Sequence, residues 1–191
     1  MQAEIYALSP VKRADTVMLG DSLTENVPWA ELTGRHDLVN RGVGGATSAD
    51  ILAMLPQVLR LHPKAVFLMV GVNDVMHGIA TPAILANLQK IADVVTASDA
   101  QVFLSYVLPV AEGIPNGSKW NSQIRALNDA MKASFSGKRG VTFIDIRPQV
   151  TDSSNSLSPS ITSDGVHLRA AAYRAWVGAV KSNLTKRSAY E

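Results

Sequence analysis

The stretch Asp15-Thr-Val-Met-Leu-Gly-Asp-Ser-Leu-Thr24 determines how the rest of the chain is organised. Its apolar run ends at Gly20, and Ser22 follows at the start of a new segment. A buried strand that stops at a glycine before a helix places the intervening hydroxyl at the carboxyl edge of a sheet. Open α/β sheets carry their binding and reactive groups at that edge. Taken alone, Ser22 is explained equally simply as a helix cap or a turn residue.

Apolar runs like the one in this stretch recur along the chain. They cover residues 16–19, 38–39, 65–70, 102–108 and 141–146. Most are continuous rather than alternating, as expected for strands that are covered on both faces. The second run is short and weak, which suits an edge strand.

Helical patterns lie between the runs, over residues 47–59, 81–95, 124–135 and 169–184. Thr47 and Asp50 resemble a capping box at the start of the first pattern. Pro56 interrupts this pattern, so we expect a kink or a break there. Thr81 and Pro82 predict an N-cap and the first residue of the second helix.

Strands that alternate with helices predict βαβ units, and hence a parallel sheet with helices on both faces. Five strands of this kind most often take the order 2-1-3-4-5. The length of 191 residues suits one domain. We therefore expect a single domain over residues 1–191, with an N-terminal extension at 1–14 and a frayed tail at 185–191.

Composition excludes several classes of protein. The net charge is only +2, and no run of Lys or Arg exceeds two residues, so nothing indicates a nucleic-acid partner. No apolar stretch is long enough to span a membrane. The absence of cysteine excludes disulfides and a cysteine nucleophile. Residues 1–14 lack the apolar core of a signal peptide, which leaves a cytoplasmic location or secretion after processing open.

Polar or glycine-rich segments follow four of the five runs. Ser22 follows the first run, Asn40-Arg-Gly-Val-Gly-Gly-Ala46 the second, Gly71-Val-Asn73-Asp74 the third and Asp164-Gly-Val-His167 the fifth. Because the carboxyl ends of parallel strands share one edge of a sheet, these segments should converge. None of them predicts a function alone, and their convergence favours a reactive site.

The residue types at this edge fit nucleophilic catalysis. A serine hydroxyl needs an imidazole to take its proton, and the imidazole works best when a carboxylate orients it. Asp164 and His167 are three residues apart, so we expect one helical turn to bring the carboxylate to Nδ1 of the ring. Donors for an oxyanion would be the amide of Ser22, an amide within residues 42–45 and the side chain of Asn73. His36, His62 and His77 lack partners at metal-ligand spacing, so neither a metal nor another cofactor is expected.

Together, these four segments resemble the four blocks of the SGNH (GDSL) hydrolase family, in the family's order and with similar spacing. Residues 40–45 also look like the branch with platelet-activating-factor acetylhydrolase-like and carbohydrate-esterase-like members. The resemblance implies a three-layer α/β/α sandwich with a five-stranded parallel sheet. It further implies Ser22 as the nucleophile, His167 as general base and acid, and Asp164 as its orienting partner. The Ser22 and Gly45 amides and the Asn73 side chain would form the oxyanion hole.

The loops expected to flank the site, residues 109–119 and 147–163, are rich in polar residues, glycine and proline. They predict an open, shallow cleft for a short acyl group on a polar leaving group. Trp29 and Trp120 could stack on a sugar ring or an aryl ester, or simply pack their helices. The expected function is a serine esterase for short-chain acyl esters, such as a carbohydrate O-acetylesterase.

Two alternatives remain open at this point. One is a lysophospholipase or acyl-thioesterase, which would prefer longer acyl chains. The other is a non-catalytic flavodoxin-like module in which residues 42–45 hold a phosphate at a helix N-terminus. No complete phosphate-binding glycine motif is present, and this alternative gives Asp164 and His167 no task. The sequence leaves the oligomeric state open.

Overall fold

A computed structural model describes residues 2–188 of the protein. At its centre is a sheet of five parallel strands in the order β2-β1-β3-β4-β5, which confirms the predicted topology. The strands are β1 (Thr16–Gly20), β2 (Leu38–Gly42), β3 (Ala65–Met69), β4 (Gln101–Ser105) and β5 (Val141–Ile144). As expected, β2 lies at an edge, although it is three residues longer than its apolar run.

The register of the central strands brings their carboxyl ends level with one another. Gly20 of β1 pairs with Gly42 of β2 on one side and with Met69 of β3 on the other. The segments that follow these three strands therefore leave the sheet at the same height. This alignment positions the candidate site.

Nine helices lie within the described residues. They are α1 (Gln2–Ala7), α2 (Ser22–Glu25), α3 (Trp29–Thr33), α4 (Ser48–Leu59), α5 (Val72–Met76), α6 (Thr81–Ala97), α7 (Gly117–Phe135), α8 (Arg147–Val150) and α9 (Ala170–Ser188). The four long helices match the four predicted patterns, except that α7 begins at Gly117, seven residues before the predicted start, and takes in the end of the loop expected over residues 109–119. Of the five short helices, only the one that follows the turn at Ser22 was expected, because four to six residues are too few to show a helical period.

Two apolar clusters cover the two faces of the sheet. On one face, α4, α6 and α7 pack against Val17 and Leu19 of β1, with α1 partly buried at the margin. On the other face, α2, α3, α8 and α9 pack against Met18. Successive residues of a strand point to opposite faces. The continuous apolar run of β1 therefore serves both clusters.

The structure corrects two predicted helix features. Pro56 does not break α4, which continues to Leu59. The proline lies in the last turns of the helix, and its neighbours Leu55 and Val58 are buried in the core, which holds those turns in place. The N-cap of α6 is Ala80, so Thr81 is the first helical residue rather than the cap.

Both termini also differ from the expected extension and tail. The N-terminal extension contains α1, and the Tyr6 hydroxyl donates a hydrogen bond to the Gly42 carbonyl at 2.8 Å. This contact attaches the extension to the edge strand. Helix α9 continues to Ser188, so residues 185–188 are helical rather than frayed. Residues 189–191 of the predicted tail lie outside the described residues.

Candidate active site

Ser22 lies in the sharp turn between β1 and α2, where it is the first helical residue. Asp21 caps this helix through its Oδ1 atom, which accepts a hydrogen bond from the Leu23 amide at 3.0 Å. The turn requires a glycine at position 20, because a Cβ atom there would lie 2.3 Å from the Met69 carbonyl oxygen. The local sequence thus forces the chain to present the Ser22 hydroxyl at the sheet edge.

A continuous hydrogen-bonded chain links three of the predicted site residues. The Ser22 Oγ atom lies 2.9 Å from Nε2 of His167. On the other side of the ring, Nδ1 of His167 lies 2.6 Å from Oδ2 of Asp164. Ser22 and His167 are 145 residues apart in the chain. Only the fold brings them together.

Residues 164–167 do not form the helical turn that the sequence analysis predicted. They lie in a bend, closed by an antiparallel bridge between Thr162 and Leu168. Gly165 has a φ of +86°, a left-handed conformation that is costly for other residues. Here Oδ1 of Asp164 accepts hydrogen bonds from the amides of Val166 and His167. The aspartate therefore holds its own loop with one oxygen and the imidazole with the other.

These hydrogen bonds control the ionisation of Asp164. Partial burial by itself would raise its pKa. The hydrogen bonds from the His167 ring and from the two backbone amides outweigh that effect and hold the pKa of Asp164 well below its usual range. Asp164 is therefore a carboxylate at any pH near neutrality. A carboxylate can only accept, so Nδ1 of His167, the ring nitrogen that faces it, carries a proton.

The glycine-rich segment after β2 curves back over the end of β1. The Val43 amide donates a hydrogen bond to the Gly20 carbonyl at 2.9 Å. Gly45 has a φ of +75°, so a side chain at this position would strain the backbone. Nδ2 of Asn73 donates to the Ala46 carbonyl at 3.0 Å, which places Asn73 against the same loop. The loop that contains Gly45 is thus tied to the end of β1, and Asn73 is tied to the same loop.

Comparison with known proteins identifies this arrangement. A sequence model of the GDSL-like lipase/acylhydrolase family matches residues 18–175, most of the chain. The chain belongs to this family. This assignment agrees with the resemblance seen in the four sequence blocks of the chain.

Relatives of this GDSL-like acylhydrolase include larger proteins. It is 26% identical over 156 residues to an N-acylneuraminate cytidylyltransferase of Streptococcus agalactiae serotype V, covering 82% of this chain but only 35% of that protein. The chain therefore spans about a third of that relative's length. It is also 26% identical over 170 residues to the platelet-activating factor acetylhydrolase IB subunit alpha1 of Bos taurus, covering 85% of this chain and 71% of the relative.

Solved structures agree with the family assignment. A GDSL-like lipase from Bacteroides thetaiotaomicron superimposes with a TM-score of 0.82 at 25% sequence identity. The match covers 97% of this chain and 96% of the other. The five-stranded parallel sheet with helices on both faces is therefore shared along nearly the full length of both proteins.

Of the two tryptophans considered for substrate stacking in this acylhydrolase, Trp29 is excluded. Its side chain is 1% exposed, its Nε1 donates to the Thr24 carbonyl, and its ring packs edge-on against Trp176. The ring has no free face for a substrate, so Trp29 supports the fold. Trp120 is partly buried against the core in the first turn of α7, and its stacking role stays a prediction.

A buried network that was not predicted from the sequence holds the start of α4, next to the glycine-rich loop. The carboxylate of Asp74 is completely buried and accepts hydrogen bonds from the amide and the hydroxyl of Ser48. Nδ2 of Asn87 donates to the same hydroxyl at 3.0 Å. Asp74 therefore holds the start of α4 directly behind residues 42–46. The Asp74 position next to Asn73 was visible in the sequence, but its partner 26 residues earlier was not.

Asp21, which precedes Ser22 in the chain, is a second buried acid. It is 1% exposed, and its Oδ2 atom is buried with no hydrogen-bond partner among the described residues. Burial raises the pKa of Asp21 to about 7, while its bond from the Leu23 amide and the charge of His167 act in the opposite direction. In the folded protein, Asp21 is therefore mostly protonated below about pH 7.

Replacing Asp21 by asparagine should flatten the pH dependence of stability. An unfolded chain loses this proton near pH ~4, whereas the folded protein keeps it until about pH 7. The stability that comes from the neutral acid is complete below pH ~4 and is lost as the pH rises to neutrality. The free energy of unfolding, measured in urea from pH 4 to 8, should decline less in Asp21→Asn than in the wild type. Asp129→Asn on the exposed face of α7 should keep the wild-type slope, and equal slopes in all three proteins would contradict the argument.

Two kinds of feature are absent from the described residues. No group of three or more His, Cys, Asp or Glu side chains within the described part of the chain could hold a metal ion. Among the helices described, none is both long and apolar enough to cross a membrane.

Proposed function

We propose that the protein hydrolyses short-chain carboxylic esters through an acyl-enzyme on Ser22, with carbohydrate O-acetyl esters as the substrate class. The observation that carries the proposal is the hydrogen-bonded chain from Ser22 through His167 to Asp164. A serine, an imidazole and a carboxylate in this order form the catalytic triad of enzymes that transfer acyl groups to serine.

In the proposed reaction, Oγ of Ser22 attacks the ester carbonyl carbon while Nε2 of His167 takes the hydroxyl proton. The C–O bond to the leaving group then breaks, and the imidazolium returns the proton to the departing alkoxide. Water attacks the acyl-enzyme in the second half-reaction, again losing a proton to Nε2. The bond between the acyl carbon and Oγ then breaks, and the imidazolium returns its proton to Oγ, which leaves the carboxylic acid and free Ser22. Throughout, Asp164 orients the ring and stabilises its charged form.

We assign the oxyanion hole to the amides of Ser22 and Gly45 and the side chain of Asn73. The side-chain amide nitrogen of Asn73, Nδ2, carries two hydrogens, and the Ala46 carbonyl accepts a hydrogen bond from one of them. The second hydrogen remains for the oxyanion. The Ala46 bond would hold the side chain in place before the substrate arrives, which is the condition under which such donors are most effective.

Replacing Asn73 by alanine should lower kcat by about 10²- to 10³-fold, because one oxyanion donor is lost. The measurement is steady-state hydrolysis of p-nitrophenyl acetate. Asn87→Ala is the matched control, because it also removes an amide that braces the start of α4 but touches no proposed donor. If Asn87→Ala loses as much activity as Asn73→Ala, the loss reflects the brace rather than the oxyanion hole.

Exposure of the site favours small acyl groups on polar leaving groups. The side chains of Asp164 and His167 are 50% and 39% exposed, so the groups next to Ser22 are open to solvent. The two polar loops beside it are joined to each other, because the Leu157 amide donates to the Val110 carbonyl and the Ala111 amide donates to the Gly165 carbonyl. The name of the bovine relative refers to the hydrolysis of acetyl groups, and the name of the Streptococcus agalactiae relative refers to an N-acylated sugar acid. Both names agree with this class of substrate.

A chain-length profile tests the substrate class. Hydrolysis of p-nitrophenyl esters from acetate to decanoate is measured beside release of acetate from acetylated xylan and O-acetylated sialic acid. We expect rates to peak between acetate and butyrate and to vanish in Ser22→Ala. An optimum at eight carbons or longer would contradict the proposal and favour a lysophospholipase or a thioesterase.

A further inference from the structure

A small cavity outside the proposed catalytic residues has an unusual charge. It has a volume of about 150 Å³ and lies between the N-terminal segment and α4. Three cationic residues line it, namely Lys12, Arg41 and Arg60, and its lining includes no carboxylate. A water molecule occupies roughly 30 Å³ in the liquid, so the cavity has room for about five non-hydrogen atoms.

Arg41 is the buried member of this cluster. It is 6% exposed and points from β2 towards α1. Its Nη1 donates to the Asn40 carbonyl at 2.7 Å, and its guanidinium lies 4.8 Å from the ring centre of Tyr6. Within the described residues, no carboxylate forms an ion pair with Arg41, Lys12 or Arg60.

A buried guanidinium without a counter-ion is costly. Burial lowers the pKa of Arg41, yet arginine stays charged at any physiological pH. It carries five N–H donors, and the Asn40 carbonyl takes only one of them. An unpaired buried charge destabilises a protein unless a partner arrives. The partner that would satisfy both the charge and the donors is a small oxyanion.

Gln57 adds an adaptable polar group to the same cavity. Its amide oxygen is buried with no hydrogen-bond partner among the described residues. No protein contact therefore fixes the orientation of the amide, which can turn to donate its N–H groups to a ligand. The four side chains together resemble the donor set that proteins use for phosphate and carboxylate groups.

We propose that this cavity binds a small oxyanion, a carboxylate or a phosphoryl group, held by Arg41 inside and by Arg60 and Lys12 at the mouth. Gln57 contributes a neutral donor. The bound anion would join the N-terminal segment to α4, because Lys12 belongs to the former and Arg60 follows the latter.

The position of the cavity connects it with the proposed active site. It shares Gln57 and Arg60 with a larger groove of about 930 Å³ between α1 and α4. That groove reaches Gly44 and Gly45, the loop assigned to the oxyanion hole. Small residues such as Ala3 and Ala53 line the groove, and so do the acidic residues Glu4 and Asp50. The anion is therefore either a free ion or the charged group of an ester substrate lying along the groove, and the second source rests on the proposed function.

Binding is tested without catalysis, in the Ser22→Ala protein, so that failure of the esterase proposal does not affect the result. Inorganic phosphate is titrated by calorimetry and by thermal denaturation at constant ionic strength, with chloride as the reference salt. We expect saturable binding and a rise in Tm with phosphate. Introducing Arg60→Gln into the Ser22→Ala protein should weaken phosphate binding by about tenfold or more, since a hydrogen bond to a charged group is lost.

Matched variants separate the cavity from general surface charge. Arg41→Gln should abolish binding, and the exposed Arg60→Gln keeps the test valid if the buried substitution impairs folding. Arg139→Gln, an exposed arginine after α7 and away from the cavity, should bind phosphate like the parent protein. No saturable binding, or equal binding in all the variants, would overturn the proposal.

A second arm, in the protein with Ser22 intact, distinguishes the two sources of the anion. It compares kcat/KM for acetylated glucuronate oligomers and for neutral acetylated xylo-oligomers. A preference for the anionic ester that phosphate competes away and Arg60→Gln removes would assign the site to the substrate. Equal effects of phosphate on both esters would assign it to a free ion. Either result requires the binding found in the inactive protein.

Discussion

Replacing Ser22 by alanine is expected to lower kcat for p-nitrophenyl acetate by about 10⁴-fold or more. The variant keeps the backbone amide that we assign to the oxyanion hole but loses the oxygen that lies 2.9 Å from Nε2 of His167. Without that oxygen no acyl-enzyme forms, so the initial burst of p-nitrophenol should disappear as well. Both readouts come from one stopped-flow experiment with enzyme at micromolar concentration.

Ser182→Ala is the matched control for this substitution, because Ser182 is exposed on α9 and far from Ser22 in sequence. It should retain the wild-type kcat. Circular dichroism and the thermal midpoint should be nearly unchanged in both variants, since a single hydroxyl is removed in each. A Ser22→Ala enzyme with near wild-type turnover would exclude Ser22 as the nucleophile.

Replacing His167 by alanine should have an effect of similar size. The imidazole takes the Ser22 proton and later returns it to the leaving group, so its loss disables both half-reactions. We expect kcat to fall by roughly 10⁴-fold or more. His36→Ala is the control and should stay fully active, because His36 is exposed and follows α3, away from the sheet edge that carries Ser22.

The double variant Ser22→Ala/His167→Ala gives the sharper result. Residues that act as one catalytic unit show strongly non-additive losses, so the second substitution should cost almost nothing after the first. If the two losses multiplied instead, Ser22 and His167 would be acting independently. The hydrogen bond between them would then have no catalytic meaning.

Much of the fold follows from local patterns. The continuous apolar run of β1 predicted burial on both faces, and Val17 and Met18 indeed serve opposite clusters. The capping box at Thr47 and Asp50 was also predicted and is present with both reciprocal hydrogen bonds. Short helices such as α3 and α8 could not be predicted, because four or five residues complete barely one turn and their conformation depends on what they pack against.

The candidate site was likewise predicted in part. Ser22, Asp164 and His167 were identifiable from residue type and from their places after the strands, and the structure joins them. The conformation of residues 164–167 was predicted wrongly, because spacing cannot distinguish a helical turn from a bend held by the Asp164 carboxylate. For Trp29 the sequence left stacking and packing open, and the structure decides for packing, since its burial depends on Trp176 in a distant helix.

From the sequence alone, the parallel sheet, its usual strand order and the residue types at the carboxyl edge could be predicted, because apolar runs that alternate with helical patterns imply right-handed βαβ units. Two features were visible only in the tertiary structure. They are the buried hydrogen bonds from Ser48 to Asp74 and the buried charge of Arg41, which has no carboxylate partner among the described residues. Each depends on contacts between segments that are distant in the chain. Burial and missing partners are properties of the packed molecule, and no local pattern of residues encodes them.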